Sequence, residues 1–371
     1  MKKVLLCTGG TGGHIFPMLS LYDKLKDDYE VKILTDIRAK KYLDTKDIII
    51  INSESPFRKS GFLHKIKTLF TLLFATMHAC LILLVHRPHI IVGSGGYVSF
   101  PILFIATIFN KKFYLYETNS VLGRVNKFFL SRCHRMLSGY KEVINFPEKY
   151  NYKFRYVGQL VRNQFLDTRD SGVFLKNIVK SKNKDVLKIL VIGGSQGAKV
   201  FGEKLPICFR SLIEKDIYLS IDQQIQKEQL EYLSNFYGNI TKKFNNKYEN
   251  KFIISLFTFH NNLEEYIKKA DIVISRSGSS TLSELASLNK PFVAIPLPSS
   301  LDNHQFYNAK YYLDKNCCWM LNENDIDFDI KLTKTLTDIY KNKYLLNTKK
   351  NNLINLKMGN PIDNFKRELQ R

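Results

Sequence analysis

Tryptophan, acidic residues and long apolar runs are all scarce in this sequence. Asp and Glu number 34 against 56 Lys and Arg, which leaves a formal charge of +22 at pH 7. A surplus that large calls for an anionic partner: nucleic acid, a phosphorylated substrate or an anionic membrane surface. Lysine- and asparagine-rich stretches such as KNKYLLNTKKNNLINLK carry part of it. No Cys-x-x-Cys pair occurs among Cys7, Cys80, Cys133, Cys208, Cys317 and Cys318, so a zinc-ribbon site is excluded and the thiols read as small core residues of a reducing compartment. The N-terminal apolar run VLLC is too short for a signal-peptide core and ends in glycines; it reads as a first strand. No low-complexity tract separates domains, and 44% apolar with 24% charged residues excludes a disordered chain. With 371 residues, two or three domains are expected.

One grammar occurs twice. KVLLC is followed by TGGTGGH and the helical stretch IFPMLSLYDKLKD; LKILVI is followed by GGSQGAKVFGEKL. A short apolar run, then glycines, then a helix opens a doubly wound α/β domain. EVKILT, DIIII, HIIVG, KFYLYE and FRYVG follow the first opening; FIISLF, DIVISRS and PFVAIP follow the second. They alternate with helical patterns, as β-α-β units require. Two parallel-sheet domains facing a cleft are expected, one over 1–162 with a C-terminal helix from about 347–371, the other over 163–346.

The longest apolar stretch, Leu69–Val85, is 17 residues interrupted only by Thr71, Thr76 and His78. As a helix it would measure ~25 Å, short of the ~30 Å hydrocarbon core of a bilayer. The segment Phe57–Pro88 holds Arg58, Lys59, Lys65, Lys67 and Arg87 but no acid, and Ser60, His64, Lys67, Thr71 and His78 form one polar stripe. The pattern predicts a helix that packs one side into its domain and offers another to an anionic membrane interface. A fully buried core helix and a membrane span are the alternatives.

Three glycine turns carry the chemistry. Gly9-Gly10-Thr11-Gly12-Gly13-His14, Gly93-Ser94-Gly95-Gly96-Tyr97 and Gly193-Gly194-Ser195-Gln196-Gly197-Ala198 each follow a strand. Glycines let the backbone approach a ligand, and the helix that follows presents free N–H groups to an anion. The third lacks the Lys-Ser/Thr of a P-loop, which argues against ATP hydrolysis. Asp36 ends a strand about where a dinucleotide site places its ribose-binding acid, so a nicotinamide reading stays open. In Arg276-Ser277-Gly278-Ser279-Ser280-Thr281-Leu282-Ser283-Glu284, hydroxyls around a helix start suit a diphosphate, and Glu284 suits a ribose. Asp302-Asn303-His304-Gln305 suits sugar hydroxyls. The alternative for Ser279–Ser283 and for the Asp302 segment is plain helix capping, and for Glu284 a solvated face.

GGTGGHIFP, GSGGYVSFP, GGSQGA, RSGSSTLSE and DNHQFYNA, in this order, resemble MurG-type enzymes over Met1 to about Cys318. These are bacterial UDP-N-acetylglucosamine–N-acetylmuramyl-(pentapeptide) pyrophosphoryl-undecaprenol N-acetylglucosaminyltransferases. The resemblance implies two Rossmann-like domains in the B-type glycosyltransferase fold, working at the cytoplasmic face of the inner membrane as a peripheral protein. It implies transfer of N-acetylglucosamine from UDP-N-acetylglucosamine to the muramyl 4-hydroxyl of lipid I. His14 would be the general base. Thr11, Gly12, Gly13, Asn119, Arg162 and Ser195 would contact the donor; Ser279, Ser280, Thr281, Leu282, Ser283 and Glu284 would hold nucleotide and diphosphate. Gln305 would read the sugar, and His260 would meet uracil through its backbone. The family usually has His-Glu-Gln-Asn and Gly-Asn-Pro-Val-Arg where this chain has Tyr116-Glu117-Thr118-Asn119 and Gly158-Gln159-Leu160-Val161-Arg162.

Helix N-termini and glycine turns stabilise a departing diphosphate without metal. Asp325-Ile326-Asp327 has the Asp-x-Asp spacing but lies in a polar stretch and reads as loop. No metal, no cofactor and no nucleic-acid partner are expected. An epimerase of the same architecture acting on the same nucleotide sugar, a transferase with another lipid acceptor, and a nicotinamide oxidoreductase are the alternatives.

Overall fold

A computed structural model describes residues 1–9, 12–42, 46–51, 62–162, 186–194, 197–245, 251–258, 263–356 and 359–371; the description covers the backbone alone at 40–42, 62–69 and 245. The chain forms two compact units, Met1–Arg162 with Met358–Arg371, and Asn163–Lys357.

Unit 1 runs β1 (Lys3–Cys7), α1 (Gly12–Leu25), β2 (Glu30–Thr35), β3 (Ile48–Ile50), α2 (Phe62–His86), β4 (Ile90–Gly93), α3 (Gly96–Ile108), β5 (Phe113–Glu117), α4 (Arg124–Phe129), β6 (Arg135–Ser138) and β7 (Phe154–Tyr156). All seven strands are parallel, in the order β3-β2-β1-β4-β5-β6-β7. The order reverses at β1 and β4, so the turns that leave those two strands flank a topological switch point, the usual seat of a ligand in such sheets. Central strands such as FYLYE are buried at every position, because helices cover both faces of a parallel sheet.

Unit 2 repeats the plan: β8 (Leu187–Ile192), α5 (Lys199–Glu214), β9 (Leu219–Gln224), α6 (Leu230–Asn245), β10 (Phe252–Phe257), α7 (Leu263–Lys269), β11 (Ile272–Ser275), α8 (Ser279–Ser287), β12 (Phe292–Ala294), α9 (His304–Leu313), β13 (Trp319–Met320), α10 (Phe328–Lys341) and α11 (Tyr344–Asn355). Its parallel order is β10-β9-β8-β11-β12-β13. The switch point here lies at β8 and β11.

The C-terminal tail divides. A return to unit 1 from about residue 347 is not what the chain does: α11 belongs to unit 2, where Lys349 lies over the Trp319 ring at 4.9 Å and bonds Asn316 Oδ1 at 2.5 Å. Only the last helix, α12 (Pro361–Gln370), belongs to unit 1; Phe365 meets Tyr116 edge-on at 5.5 Å and Asn364 Nδ2 donates to Val157 O. Asn360 caps α12 by accepting the Ile362 N–H.

Helix α2 buries Ala75, Ala79, Ile82 and Leu83, which share one face, and packs on α3. The small alanines let α3 approach, so the bulky residues point outward: Phe70, Leu73, Phe74, Met77, Leu81 and Val85 are all exposed. His78 is exposed and Thr71 half-buried among outward apolar side chains, while Ser60 and the side chains of His64 and Lys67 lie outside the description. The fully buried alternative is overturned by the same exposure. Among the described residues, no helix is long and apolar enough to cross a membrane. Five cysteines are buried and Cys80, on α2, is half-buried.

Candidate active site

In unit 1 the switch point is organised around His14, in the first turn of α1. Its Nδ1 lies 2.9 Å from the carbonyl oxygen of Ser94, in the turn after β4. A carbonyl only accepts, so Nδ1 carries the proton and the neutral ring holds its lone pair at Nε2. A circuit fixes both partners. The Ser94 N–H donates to Cys7 O at 3.0 Å, the Ser94 hydroxyl donates to Thr8 Oγ1 at 3.0 Å, and the Thr8 hydroxyl donates to His14 O at 2.9 Å. Thr8 and Ser94 are fully buried, so the circuit is shielded from competing water. The turn continues into α3 through Gly95 and Gly96 at φ 79° and 73°, a left-handed region that favours glycine.

Asn119 follows β5. Its backbone N–H donates to Glu117 Oε1 at 3.1 Å. The Glu117 carboxylate also takes the Gly123 N–H at 2.9 Å and Asn126 Nδ2 at 2.8 Å on Oε2. Burial pushes the Glu117 carboxyl above the usual carboxylate range, while these donors pull it back. Asn126 in turn lies against Gly95: a Cβ there would sit 3.2 Å from its Nδ2. Glu117 and Asn126 thus tie the Asn119 segment to the turn that holds His14. Neither was singled out from sequence, because a lone Asn in RVNKF gives no local signal.

Arg162 ends the unit. Its guanidinium lies 4.6 Å from the ring centroid of Phe16, two residues beyond His14. The structure therefore brings Gly12, Gly13, His14 and Arg162 together, with Asn119 joined through Glu117. Thr11 lies outside the described residues.

In unit 2, α8 starts after Gly278, an extended cap residue that makes no side-chain cap bond. Gly278 itself offers no side-chain cap, and the Ser283 hydroxyl donates back to Ser279 O at 2.7 Å. Ser280 and Thr281 are half-buried in that turn; Leu282, Ser283 and Glu284 are buried. Gln305 lies at the start of α9, and its Oε1 accepts the N–H groups of Ser277 at 3.1 Å and Leu297 at 3.0 Å. Its acceptor thus holds the backbone ahead of α8. Arg276 pairs with Glu323 at 2.6 Å, each side chain 11% exposed, and stacks over Phe201. Ser195 and His260 lie outside the described residues.

Asp36 does not offer a ribose acceptor. Its Oδ1 accepts the N–H groups of Arg38 and Ala39, and its Oδ2 takes Arg38 Nη2 at 2.6 Å and the Tyr97 hydroxyl at 2.9 Å. It anchors the turn after β4. Asp325 and Asp327 both pair with Lys331, at 2.8 and 2.9 Å, in the loop before α10. Among the described residues no cluster of three or more His, Cys, Asp or Glu could hold a metal ion.

Two doubly wound units, each with N–H-rich helix starts at its switch point, form the framework of a two-domain glycosyltransferase. Models of the glycosyltransferase family 28 N-terminal and C-terminal domains match residues 4–138 and 188–364. The chain belongs to glycosyltransferase family 28. It is 36% identical over 368 residues, 98% of each chain, to the UDP-N-acetylglucosamine--N-acetylmuramyl-(pentapeptide) pyrophosphoryl-undecaprenol N-acetylglucosamine transferase of Rickettsia felis. It is 34% identical to the protein of the same name from Pelagibacter ubique, over 98% of this chain and 96% of that one. The crystal structure of Acinetobacter baumannii MurG shares the fold with a TM-score of 0.77 at 22% identity, covering 100% of this chain and 99% of that one. Staphylococcus aureus MnaA with UDP shares it less closely, with a TM-score of 0.63 at 13% identity over 94% and 91% of the two chains.

Proposed function

We propose that this chain transfers N-acetylglucosamine from UDP-N-acetylglucosamine to the muramyl 4-hydroxyl of lipid I, forming lipid II for peptidoglycan. The names of full-length relatives support the substrates. The observation that carries the chemistry is the Nδ1–H of His14 on the Ser94 carbonyl, which places the base lone pair at Nε2.

The acceptor oxygen attacks the anomeric carbon as the bond from that carbon to the β-phosphate oxygen breaks. The bonding pair leaves with UDP, and the hydroxyl proton passes to His14 Nε2. Attack opposite the leaving group inverts the centre. Unit 2 takes the nucleotide, with α8 N–H groups and the hydroxyls of Ser279, Ser280 and Thr281 on the diphosphate and Glu284 on the ribose. Ser195, Arg162 and the His260 backbone complete the donor contacts in this reading, and Thr11, Gly12, Gly13 and Asn119 meet the transferred sugar. In this reading the α8 N–H dipoles meet the charge on the leaving group.

The outward apolar face of α2 docks on the cytoplasmic leaflet of the inner membrane, where the acceptor resides. Phe128, exposed on α4 and 5.4 Å from the Phe100 ring on α3, extends that face, and Arg124, Lys127 and Arg132 are exposed nearby in sequence. Apolar insertion with a basic rim suits an anionic surface.

Incubation with UDP-N-acetylglucosamine and lipid I tests the reading. The lipid should gain one N-acetylhexosamine and UDP should appear in equal amount. Epimerised nucleotide sugar with no change in lipid mass would overturn it in favour of the epimerase alternative; a product only with a diacylglycerol acceptor would favour another transferase.

A further inference from the structure

Helix α9 sends two side chains back to one residue of the turn that leads into α8. Gln305 Oε1 accepts the Ser277 N–H at 3.1 Å, and Asn308 Nδ2 donates to the Ser277 carbonyl at 3.2 Å. Three residues apart on a helix, the two side chains share one face. Asn308 is 0% exposed, so its bond to Ser277 is shielded from competing water.

Both peptide planes that flank Ser277 are fixed in this way. The N–H belongs to the peptide before it, and the carbonyl to the peptide after it, from which α8 departs. Little else holds this place. The Ser277 hydroxyl is buried and has no hydrogen-bond partner among the described residues. A Cβ built on Gly278 would meet no described atom within 4 Å beyond its chain neighbours, so packing does not hold the cap residue. Gly278 O then accepts the Leu282 N–H at 3.0 Å and closes the first turn of α8. The direction in which that turn points is therefore set at Ser277.

We infer that Asn308 is a positioning residue for the departing diphosphate: by holding the Ser277 carbonyl it aims the first-turn N–H groups of α8. This rests on the function proposed for the chain, in which those N–H groups meet the diphosphate. Aim matters because a hydrogen bond weakens steeply with angle, and the pull of a helix start on an anion is confined to its first turn. The role requires a donor at position 308. Leu fills similar volume and donates nothing, and an ionised Asp would set an acceptor against the Ser277 carbonyl in a buried place.

The test compares wild type with Asn308→Leu and Asn308→Asp, titrating UDP by calorimetry and uridine by ligand-observed NMR. In both variants the UDP Kd should rise about tenfold, the worth of a lost buried bond. The uridine Kd should stay within twofold, because uridine carries no phosphate for α8 to meet. A merely structural role would lower the active fraction or weaken both ligands alike; either result, or an unmoved UDP Kd, overturns the inference. Should the variants fold poorly, the Asn308 side-chain amide of wild type decides. Saturation with UDP should slow exchange of its protons at least tenfold, and unchanged exchange counts against the role. Failure of wild type to bind UDP would instead strike the donor reading itself.

Discussion

The hydroxyl of Tyr116 accepts the backbone N–H of Leu160 at 3.0 Å and donates to the Gly158 carbonyl at 3.3 Å. These residues stand at the two places where the sequence departs from the usual family pattern. A proline at 160 has no N–H to give, so the tyrosine and the leucine belong together. Gln159 closes the contact by donating from Nε2 to Thr118 O at 3.2 Å. Tyr116 and Gln159 thus join the segment before Asn119 to the segment before Arg162.

Tyr116→Phe should lower the stability of unit 1 by about 1–3 kcal/mol, since it strands a buried N–H and a carbonyl. Leu160→Pro should cost less in a Tyr116→His background than in wild type. Denaturant unfolding of the four proteins of that cycle gives the coupling, expected at about 0.5–3 kcal/mol; additive effects would dissolve the pairing.

His14→Ala should keep donor affinity within about threefold and lower kcat by about 100–10,000-fold, the usual worth of general-base help. Thr8→Val, which removes the hydroxyl that holds the His14 carbonyl, should lower kcat by about tenfold with KM unmoved, and Thr8→Ser should restore it. Calorimetric titration beside steady-state rates separates the two quantities. Equal loss of affinity and turnover in His14→Ala would deny it the role of base.

Glu284→Ala should weaken UDP-N-acetylglucosamine about tenfold or more while the enzyme still turns over at saturation. Deoxygenated ribose analogues provide the control: they should lose affinity against wild type and not against the variant.

Phe74→Asp with Met77→Asp should abolish sedimentation with vesicles of anionic phospholipid, yet leave turnover of a short-chain soluble acceptor within twofold. Wild-type association should fall as salt rises. Binding that ignores both changes would remove α2 from the membrane.

Lys290 offers a pH signature. Burial pulls its ammonium down to about 8, and its Nζ donates to Lys268 O and Ala270 O. Between pH 8 and the unfolded value near 10.5 the unfolded chain binds more protons, so this group adds stability as pH rises through that window and contributes no slope below it. The stability of wild type relative to Lys290→Met should therefore rise from pH 8 to 10.5 in thermal unfolding.

Among the described residues, ten of the thirteen strands are legible as apolar runs, because a doubly covered parallel sheet writes itself as unbroken hydrophobicity. The three that are not show the limit. Arg135–Ser138 holds only Met136 and Leu137 between two polar ends, Trp319–Met320 is two residues long, and in Leu219–Gln224 polar Ser220 and Asp222 break the run. The glycine turns and the serine-rich helix start were legible because their chemistry is local. Ser94 reaches Cys7 across 87 residues of chain and His14 across 80, a distance that spacing alone does not encode. Asp36 misled for the same reason: its saturation by Tyr97 comes from 61 residues away.

The distribution of thiols makes the protein its own reporter. Cys80 alone among the six cysteines is only partly covered, and it rides on α2 beside Leu81 and Met77. Burial holds the Cys133 and Cys208 thiols near 11 and 12, where maleimides and haloacetamides react slowly. A polarity-sensitive dye can thus be placed on the native sequence at one helix without engineering, and its emission would track that helix leaving water.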